Sequence, residues 1–391
     1  MGSYPFAPPG LTPYPDQLPA AVYGTAPAGI LALAAAVANR NAARLDIPVI
    51  GDSVTEGQGA TTVNGRWIAQ ANRAMRAAYP TTANGAAGAQ GFIPVSTTGE
   101  TSFTWPVTLA SGGSGSFVAP VGPVRDAITL GAATTYTWTA PAGSTSCKVM
   151  YFDDGSGSTF SWKVNAGAAT NVAQNTFSGD GALTASIPIT AGQVLTIAWV
   201  SGATVILEGI VPFSGDEAAG ITFHACGHFG WQAGQQDANA WNQTGYSVPW
   251  QQSLGALMTG AGAVGIMLGI NDCASYTAAG FAANLKTLVT FIQGGLGHAA
   301  LPVSAYLFII PYQSLVVPLD PGGWPAYAAA VRSVAAATSV TVPSHVIDLS
   351  YRMPSIASGF DGGALYADSF HPGNLGHALI GEIAAAGLRI G

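Results

Sequence analysis

The sequence has few charged residues and no apolar run of transmembrane length. Only 8% of the 391 residues are charged, whereas 49% are hydrophobic. Disorder requires the opposite balance, so a folded chain is expected. The net charge of −7 argues against nucleic-acid binding, which needs a basic patch. The apolar run 28–37 is Ala-rich and too short to cross a bilayer, so no membrane span is predicted.

Cysteine is also scarce. Cys147, Cys226 and Cys273 are odd in number and far apart, so buried thiols are expected instead of a disulfide framework. No Cys-x-x-Cys or His-rich spacing indicates a metal site, and we predict neither a metal nor a cofactor. The N-terminus lacks a basic segment followed by an apolar one, so no secretory signal is visible. Either the mature form is numbered here, or an extracellular or virion-associated location needs another route, such as release of a virus particle on cell lysis.

The composition divides the chain into four segments. Residues 1–26 are Pro-rich and predict an extended arm. Residues 27–96 and 213–391 alternate strand-like apolar runs with helical periodicity, which predicts a mostly parallel sheet with helices on both faces. Residues 97–212 alternate with period two between turn signals, which predicts an inserted all-β sandwich of jelly-roll type. We expect a short linker to replace this block without loss of activity on a small substrate.

Polar groups follow two of the predicted parallel strands. The strand segments are Leu45–Ile50, Ile221–Ala225, Ala263–Leu268, Val303–Ile310 and His345–Leu349. Gly51-Asp52-Ser53 directly follows the first segment, and Gly269-Ile270-Asn271-Asp272 follows the third. Open α/β sheets hold their ligands at the carboxyl ends of the strands. The sequence therefore places Ser53 and Asn271 near one candidate site.

An Asp-x-x-His pair near the C-terminus completes a set of groups suited to acyl transfer. A serine hydroxyl is a poor nucleophile until a base takes its proton. His371 is the candidate base for Ser53, and Asp368 can accept the Nδ1–H of that ring and so select its tautomer. Taken alone, the same spacing also fits a carboxylate at a helix N-terminus beside a surface histidine.

These segments together resemble the SGNH (GDSL-type) hydrolase family. The resemblance rests on the following segments: Gly51-Asp-Ser-Val-Thr-Glu-Gly57, Gly269-Ile-Asn-Asp272, Asp368-Ser-Phe-His371 and, less closely, Cys226-Gly-His-Phe-Gly-Trp231. The chain departs from the family at Val54, where leucine is usual. It also departs at His224-Ala-Cys226, because an Asn or similar residue usually precedes the family's Gly-x-x-Gly. The resemblance implies a flavodoxin-like, three-layer α/β/α fold of SGNH-hydrolase type.

The resemblance also implies residue roles in a carboxylic-ester hydrolase. Ser53 would be the nucleophile, and Asp368 and His371 would complete a catalytic triad. The oxyanion hole would comprise the Ser53 N–H, the Asn271 side chain and the Gly230 N–H, with Gly227 left open as the alternative to Gly230.

Three residues near these groups are candidates for substrate contact. They are His228, Trp231 and Asp272. A structural role fits His228 and Trp231 as well, and Asp272 also fits a role in capping or orienting its loop.

The implied substrate is an O-acyl ester on a polysaccharide or on a cell-envelope glycolipid, hydrolysed through an acyl-enzyme. A lipase or thioesterase is the alternative chemistry. The inserted block, the Pro-rich arm and the Ala/Gly-rich composition more loosely resemble esterase-like minor tail proteins of phages that infect actinobacteria. That resemblance leaves open a homo-oligomer, assembly into a phage tail, and a structural or adhesion protein that retains an esterase fold.

Overall fold

The computed structural model describes most of the chain beyond the predicted N-terminal arm. The described residues are 28–81, 91–95, 107–110, 117–118, 121–124, 127–132, 134–176, 179–234, 247–258, 262–294, 300–338, 341–355 and 365–388. The predicted arm, residues 1–26, lies outside these ranges.

Helices occur toward both ends of the described chain, and strands fill the part between them. The helices are α1 (Ala28–Ala38), α2 (Ser53–Glu56), α3 (Trp67–Ala78), α4 (Ser247–Leu257), α5 (Ala278–Ile292), α6 (Gly323–Thr338) and α7 (Asn374–Leu388). The strands are β1 (Leu45–Gly51), β2 (Ile93–Pro94), β3 (Val107–Ala110), β4 (Phe117–Val118), β5 (Ala127–Leu130), β6 (Thr135–Thr139), β7 (Ser146–Asp153), β8 (Thr159–Val164), β9 (Thr170–Ala173), β10 (Gly179–Leu183), β11 (Ile187–Pro188), β12 (Val194–Ser201), β13 (Val205–Phe213), β14 (Ile221–Gly227), β15 (Gly262–Met267), β16 (Val303–Ile310) and β17 (Ser344–Asp348). Among the helices in the described ranges, none is both long and apolar enough to cross a membrane.

A parallel sheet forms the centre of the α/β part. Within the described residues its strands lie in the order β14-β1-β15-β16-β17. Counted along the chain among themselves, these strands run 2-1-3-4-5, which is the doubly wound order of the flavodoxin type. The order switches between β1 and β15, and such a switch leaves a crevice outside the carboxyl ends of the two strands. The prediction of a mostly parallel sheet is confirmed.

Helices cover both faces of this sheet. Helices α1, α3 and α7 share one apolar core with Ile47 and Val49 of β1. Helices α4, α5 and α6 share another core with Ile50 of the same strand. Successive side chains of a strand point to opposite faces, so β1 contributes to both cores and the sheet lies between two helical layers.

The strands between α3 and β14 form two antiparallel sheets. One has the order β10-β7-β13-β5-β4, with β11 on β7 and β2 on β13, and the other has the order β3-β6-β12-β8-β9. A third core joins Val149 and Leu207 of the first sheet to Trp138 and Ile197 of the second. Period-two alternation aims these side chains into one apolar layer. The jelly-roll form of the predicted sandwich stays a prediction.

The first antiparallel sheet extends past the predicted boundaries of the inserted block. Strand β2 precedes residue 97 but pairs with β13, which ends at Phe213. Met150 and Phe213 belong to the same core as α4, and the indole N–H of Trp250 donates to the carbonyl of Pro123 at 3.1 Å. The block and the α/β part therefore share apolar contacts, and their division into separate domains stays a prediction.

All three cysteines are buried thiols. Cys147, Cys226 and Cys273 form no disulfide. Burial raises the pKa of each thiol, to about 12 for Cys147 and for Cys273. The expectation of buried thiols is confirmed.

Candidate active site

Ser53 lies at the switch point of the parallel sheet. Strand β1 ends at Gly51, and Asp52 caps α2 by accepting the N–H of Val54 at 3.0 Å. Ser53 is the first residue of α2 and is only 5% exposed. A Cβ at Gly51 would lie 2.1 Å from Thr55 Oγ1, so the turn requires glycine there. The turn thus holds the Ser53 hydroxyl at the carboxyl edge of the sheet.

His371 and Asp368 lie on the turn that leads into α7. The Ser53 hydroxyl is 2.9 Å from His371 Nε2, and His371 Nδ1 is 2.8 Å from Asp368 Oδ2. The carboxylate thus selects the tautomer with a proton on Nδ1, which leaves Nε2 to accept from Ser53. The arrangement can take a proton from a serine hydroxyl and stabilise the resulting imidazolium.

Asp368 is anchored by backbone groups of its own turn. Its Oδ1 accepts the N–H groups of Phe370 and His371 at 2.7 and 2.8 Å. Burial acts to raise the pKa of this carboxyl, but these hydrogen bonds and the His371 ring outweigh it, so the pKa lies below its usual value. Asp368 is therefore ionised at neutral pH and fixed in position.

Two glycines of the loop after β14 have different surroundings. Gly227 pairs with Gly51, and a Cβ there would lie 2.6 Å from the carbonyl oxygen of Asp52. Gly230 has φ +74° and lines an open groove, and a Cβ on it would meet no atom within 4 Å. Gly227 thus allows β14 to pack closely against the serine turn, whereas Gly230 faces the space where a ligand would lie.

Asn271 follows β15 and is tied to the glycine loop. Its amide Nδ2 donates to the carbonyl of Trp231 at 3.1 Å. The side chain of Gln232 binds the same turn: its Nε2 donates to the backbone carbonyl of Asn271 at 2.8 Å and to Ser275 Oγ at 2.7 Å. An amide nitrogen has two donors, so Asn271 retains a second N–H for a ligand.

Two buried carboxyl groups lie beneath this loop. Asp272 accepts the N–H of Ala233 at 2.7 Å, and Asp52 caps α2. Burial raises the pKa of Asp52 to about 7. Burial raises the pKa of Asp272 to about 8; the Ala233 N–H partly opposes this rise, and the nearby Asp52 charge adds to it.

Two of the suggested substrate contacts are buried residues. Asp272 is fully buried, and Trp231 is 2% exposed and belongs to the core that contains α4, α5 and α6. Neither side chain lines the neighbouring groove, which fits a structural role for both residues, and their contact with substrate stays a prediction. His228 is partly exposed and stacks on Trp231 with ring centroids 5.5 Å apart, so its contact with substrate stays a prediction.

A groove of about 490 Å³ begins beside these groups. Its lining includes Gly230, Asn271, Ala274, Leu315 and Phe370. Phe370 directly precedes His371, and their ring centroids are 6.1 Å apart. The groove thus lies next to the turn that carries His371. Among the described residues, no cluster of three His, Cys, Asp or Glu side chains could hold a metal ion.

The sequence did not predict that Gln232 and Leu315 belong to the site. Gln232 is one polar residue in a loop, and its partners lie 39 and 43 residues further along the chain. Leu315 lies in a segment with neither helical nor strand periodicity. Only the Gly-x-x-Gly segment before Gln232 offered a signal that the loop belongs to the site.

Comparison with known proteins shows a likeness of fold. No protein-family model and no curated protein matches the chain. Among solved structures, the chain is similar to a peptidoglycan O-acetylesterase, with 18% identity and TM-score 0.61 over 92% of this chain and 95% of that one. Two further esterases match less well. One is a carbohydrate esterase family 2 enzyme with a carbohydrate-binding domain from Corynascus thermopiles (Myceliophthora fergusii), with 13% identity and TM-score 0.33 over 72% of this chain and 98% of that one. The other is an M. smegmatis aryl esterase, with 21% identity and TM-score 0.31 over 42% of this chain and 77% of that one.

Proposed function

We propose that the chain is a serine esterase that removes an O-acyl group from a polysaccharide or a cell-envelope glycolipid. The observation that carries the proposal is the chain of hydrogen bonds from Ser53 through His371 to Asp368. These groups lie at the crevice where a doubly wound sheet binds its ligands. A buried nucleophile–base pair with an ionised carboxylate behind it is the arrangement that acyl transfer requires.

The reaction would begin when Ser53 Oγ attacks the carbonyl carbon of the ester. His371 Nε2 takes the hydroxyl proton, and the Asp368 carboxylate stabilises the imidazolium. Collapse of the tetrahedral intermediate breaks the bond to the alcohol oxygen, which receives the proton from Nε2. Water then attacks the acyl-enzyme, again with His371 as base, and releases the carboxylic acid and free Ser53.

The negative oxygen of the intermediate would be bound by three donors. We assign them to the Ser53 N–H, the Gly230 N–H and the second N–H of Asn271 Nδ2. The open space at Gly230 supports this choice over Gly227, whose surroundings are filled by the serine turn. Fixed donors of this kind stabilise the transition state because they need no reorganisation as charge develops.

A polysaccharide ester is the first natural substrate to test. The fold likeness is to a peptidoglycan O-acetylesterase, and acetylated peptidoglycan is therefore a natural first polymer. Release of acetate from that polymer would support this part of the proposal. Assembly into a phage tail and an extracellular or virion-associated location stay proposals that rest on the sequence resemblance.

The test of the chemistry uses Ser53→Ala and His371→Ala. Each should lower kcat on p-nitrophenyl acetate by about 10³–10⁶, and the double variant should be hardly slower, because the side chains act as a unit. A fluorophosphonate should label the unaltered protein at Ser53. Ser144→Ala is the matched control, since that hydroxyl is buried and donates to Pro141 in the turn after β6. Normal turnover by Ser53→Ala would reject the mechanism.

A further inference from the structure

The open groove near Ser53 is lined mainly by apolar side chains. Ile270, Ala274, Leu315, Val316 and Phe370 form most of its lining. Its lining also includes Gly230, the glycine assigned here to the oxyanion hole. A carbonyl held by that hole would therefore lie at the edge of this groove, where one of its two substituents can enter.

The polar groups of the groove are largely engaged within the protein. The Gln232 amide donates to the carbonyl of Asn271 and to the hydroxyl of Ser275. One N–H of Asn271 is held by Trp231, and the other is assigned to the oxyanion. A sugar ring needs several hydrogen-bonding partners when it leaves water, because its hydroxyl groups lose their hydration. This groove offers few such partners, whereas an alkyl chain needs none.

An anchored loop after β16 extends the apolar surface beyond the groove. The Leu315 N–H donates to the Ser369 carbonyl at 3.2 Å, and the Leu319 N–H donates to the Cys273 carbonyl at 2.7 Å. The side chains of Leu315, Val317 and Leu319 are nevertheless 47%, 83% and 55% exposed. Exposed apolar side chains next to a groove indicate a binding surface, and Leu315 and Val316 of this loop belong to the groove lining.

We infer that this groove receives the acyl chain of the ester, and that the site favours linear acyl groups longer than acetyl. The inference rests on the proposed esterase function and names the acyl half of its substrate. Each methylene group that moves from water into the groove should raise kcat/KM by up to about fourfold. Acetyl has no methylene group to place in the groove, so it gains nothing from this effect.

The experiment compares p-nitrophenyl acetate, butanoate, hexanoate and octanoate below their micelle concentrations. Each kcat/KM is divided by the rate of hydroxide hydrolysis of the same ester, which removes differences in intrinsic reactivity. We expect the corrected kcat/KM to rise from acetate to hexanoate, by about tenfold or more. A flat or falling series, with Ser53-dependent turnover of acetate, would overturn this inference and leave the esterase proposal intact.

Two variants test whether the groove causes the preference. Ala274→Phe should fill part of the groove and lower the octanoate-to-acetate ratio of kcat/KM by about tenfold or more. Leu315→Gln should lower the same ratio less, because the side chain is only half-buried. Leu31→Gln on α1, an exposed leucine at 58%, is the control and should leave the ratio unchanged. A ratio that neither groove variant changes would overturn the inference.

The outcomes also separate this inference from the proposed function. If no ester is hydrolysed and fluorophosphonate does not label Ser53, the proposed function fails, and this inference fails with it. If the acetate ester is hydrolysed best, and the KM for acetylated oligosaccharides falls in proportion to their length, the groove binds sugar. In that case the inference alone is wrong.

Discussion

Gln232 is a positioning residue for the Asn271 side chain. Its amide bridges the Asn271 carbonyl and the Ser275 hydroxyl, so it fixes the turn that carries the Asn271 side chain. We expect Gln232→Ala to lower kcat on p-nitrophenyl acetate by about tenfold with a smaller change in KM, because an oxyanion donor would be displaced without being lost. Gln293→Ala removes an amide that bridges to Thr341 and should leave kcat unchanged. A change confined to KM would mean that Gln232 contacts substrate instead.

The buried carboxyl of Asp272 should make stability depend on pH. Its pKa is about 8 in the folded chain, against 3.8 for an ordinary aspartate, so between these values the folded state holds a proton that the unfolded state has released. The stabilising contribution is therefore complete below pH 3.8 and is lost as pH rises toward about 8. The slope for one group is at most about 1.4 kcal/mol per pH unit.

Asp272→Asn removes this titration while an amide oxygen remains to accept the Ala233 N–H. Urea unfolding at pH 5, 6, 7 and 8 should show a flatter pH profile, with the variant gaining relative to the unaltered protein as pH rises. Asp154→Asn, in a surface turn, is the control and should leave the profile unchanged. An identical slope for Asp272→Asn would show that Asp272 is ionised in the fold.

The site residues at strand and helix ends could be predicted from the sequence, but the side chains that surround them in the fold could not. Ser53 and Asp368–His371 lie in short contiguous motifs, and the structure brings their side chains within hydrogen-bonding distance. The burial of Asp272 and Trp231 depends on which loops pack above them. Gln232 meets its partners only through the tertiary fold, and no periodicity in the chain signals such a contact.

Close packing between β14 and α2 sets the position of the serine turn. We expect Gly227→Ala to cost about 1–3 kcal/mol and to slow fluorophosphonate labelling of Ser53, because its Cβ would lie 2.6 Å from both the Asp52 carbonyl oxygen and Thr55 Cβ. Gly230→Ala should cost about 1–2 kcal/mol through its φ of +74° alone, since its Cβ enters open space. Urea unfolding and labelling rates measure both. Full stability of Gly227→Ala would contradict this account.

Strands with long apolar runs could be predicted with accurate bounds. Strand Val303–Ile310 is apolar except for Ser304, which is typical of a strand buried on both faces, and its observed bounds match the predicted ones. The apolar loop that follows it contains Leu315 and Val317 but has no period of two or 3.6. Its exposure is set by its backbone bonds to Ser369 and Cys273, which the sequence does not reveal.

The whole molecule is organised around the sheet order 2-1-3-4-5. That order brings Ser53 after β1 and Asn271 after β15 to one crevice. The period-two pattern of the inserted block predicted its strands, but it did not show which of them contact α4. Because β2 pairs with β13, the two ends of the block lie together. We expect replacement of the block by a linker to lower stability, because Met150 and Phe213 share an apolar core with Trp250.

We therefore expect the antiparallel sheets and the α/β part to unfold in one cooperative transition. Met150→Ala at the shared core and Ile197→Ala in the core between the antiparallel sheets should each cost about 2–5 kcal/mol. Both should shift the same urea midpoint, whether tryptophan fluorescence or loss of esterase activity is followed. Val200→Ala, an exposed position on the same strand as Ile197, should leave the midpoint unchanged. The opposite result is two separate transitions, of which Ile197→Ala shifts only the one that leaves esterase activity intact. That result would establish that the inserted block folds on its own.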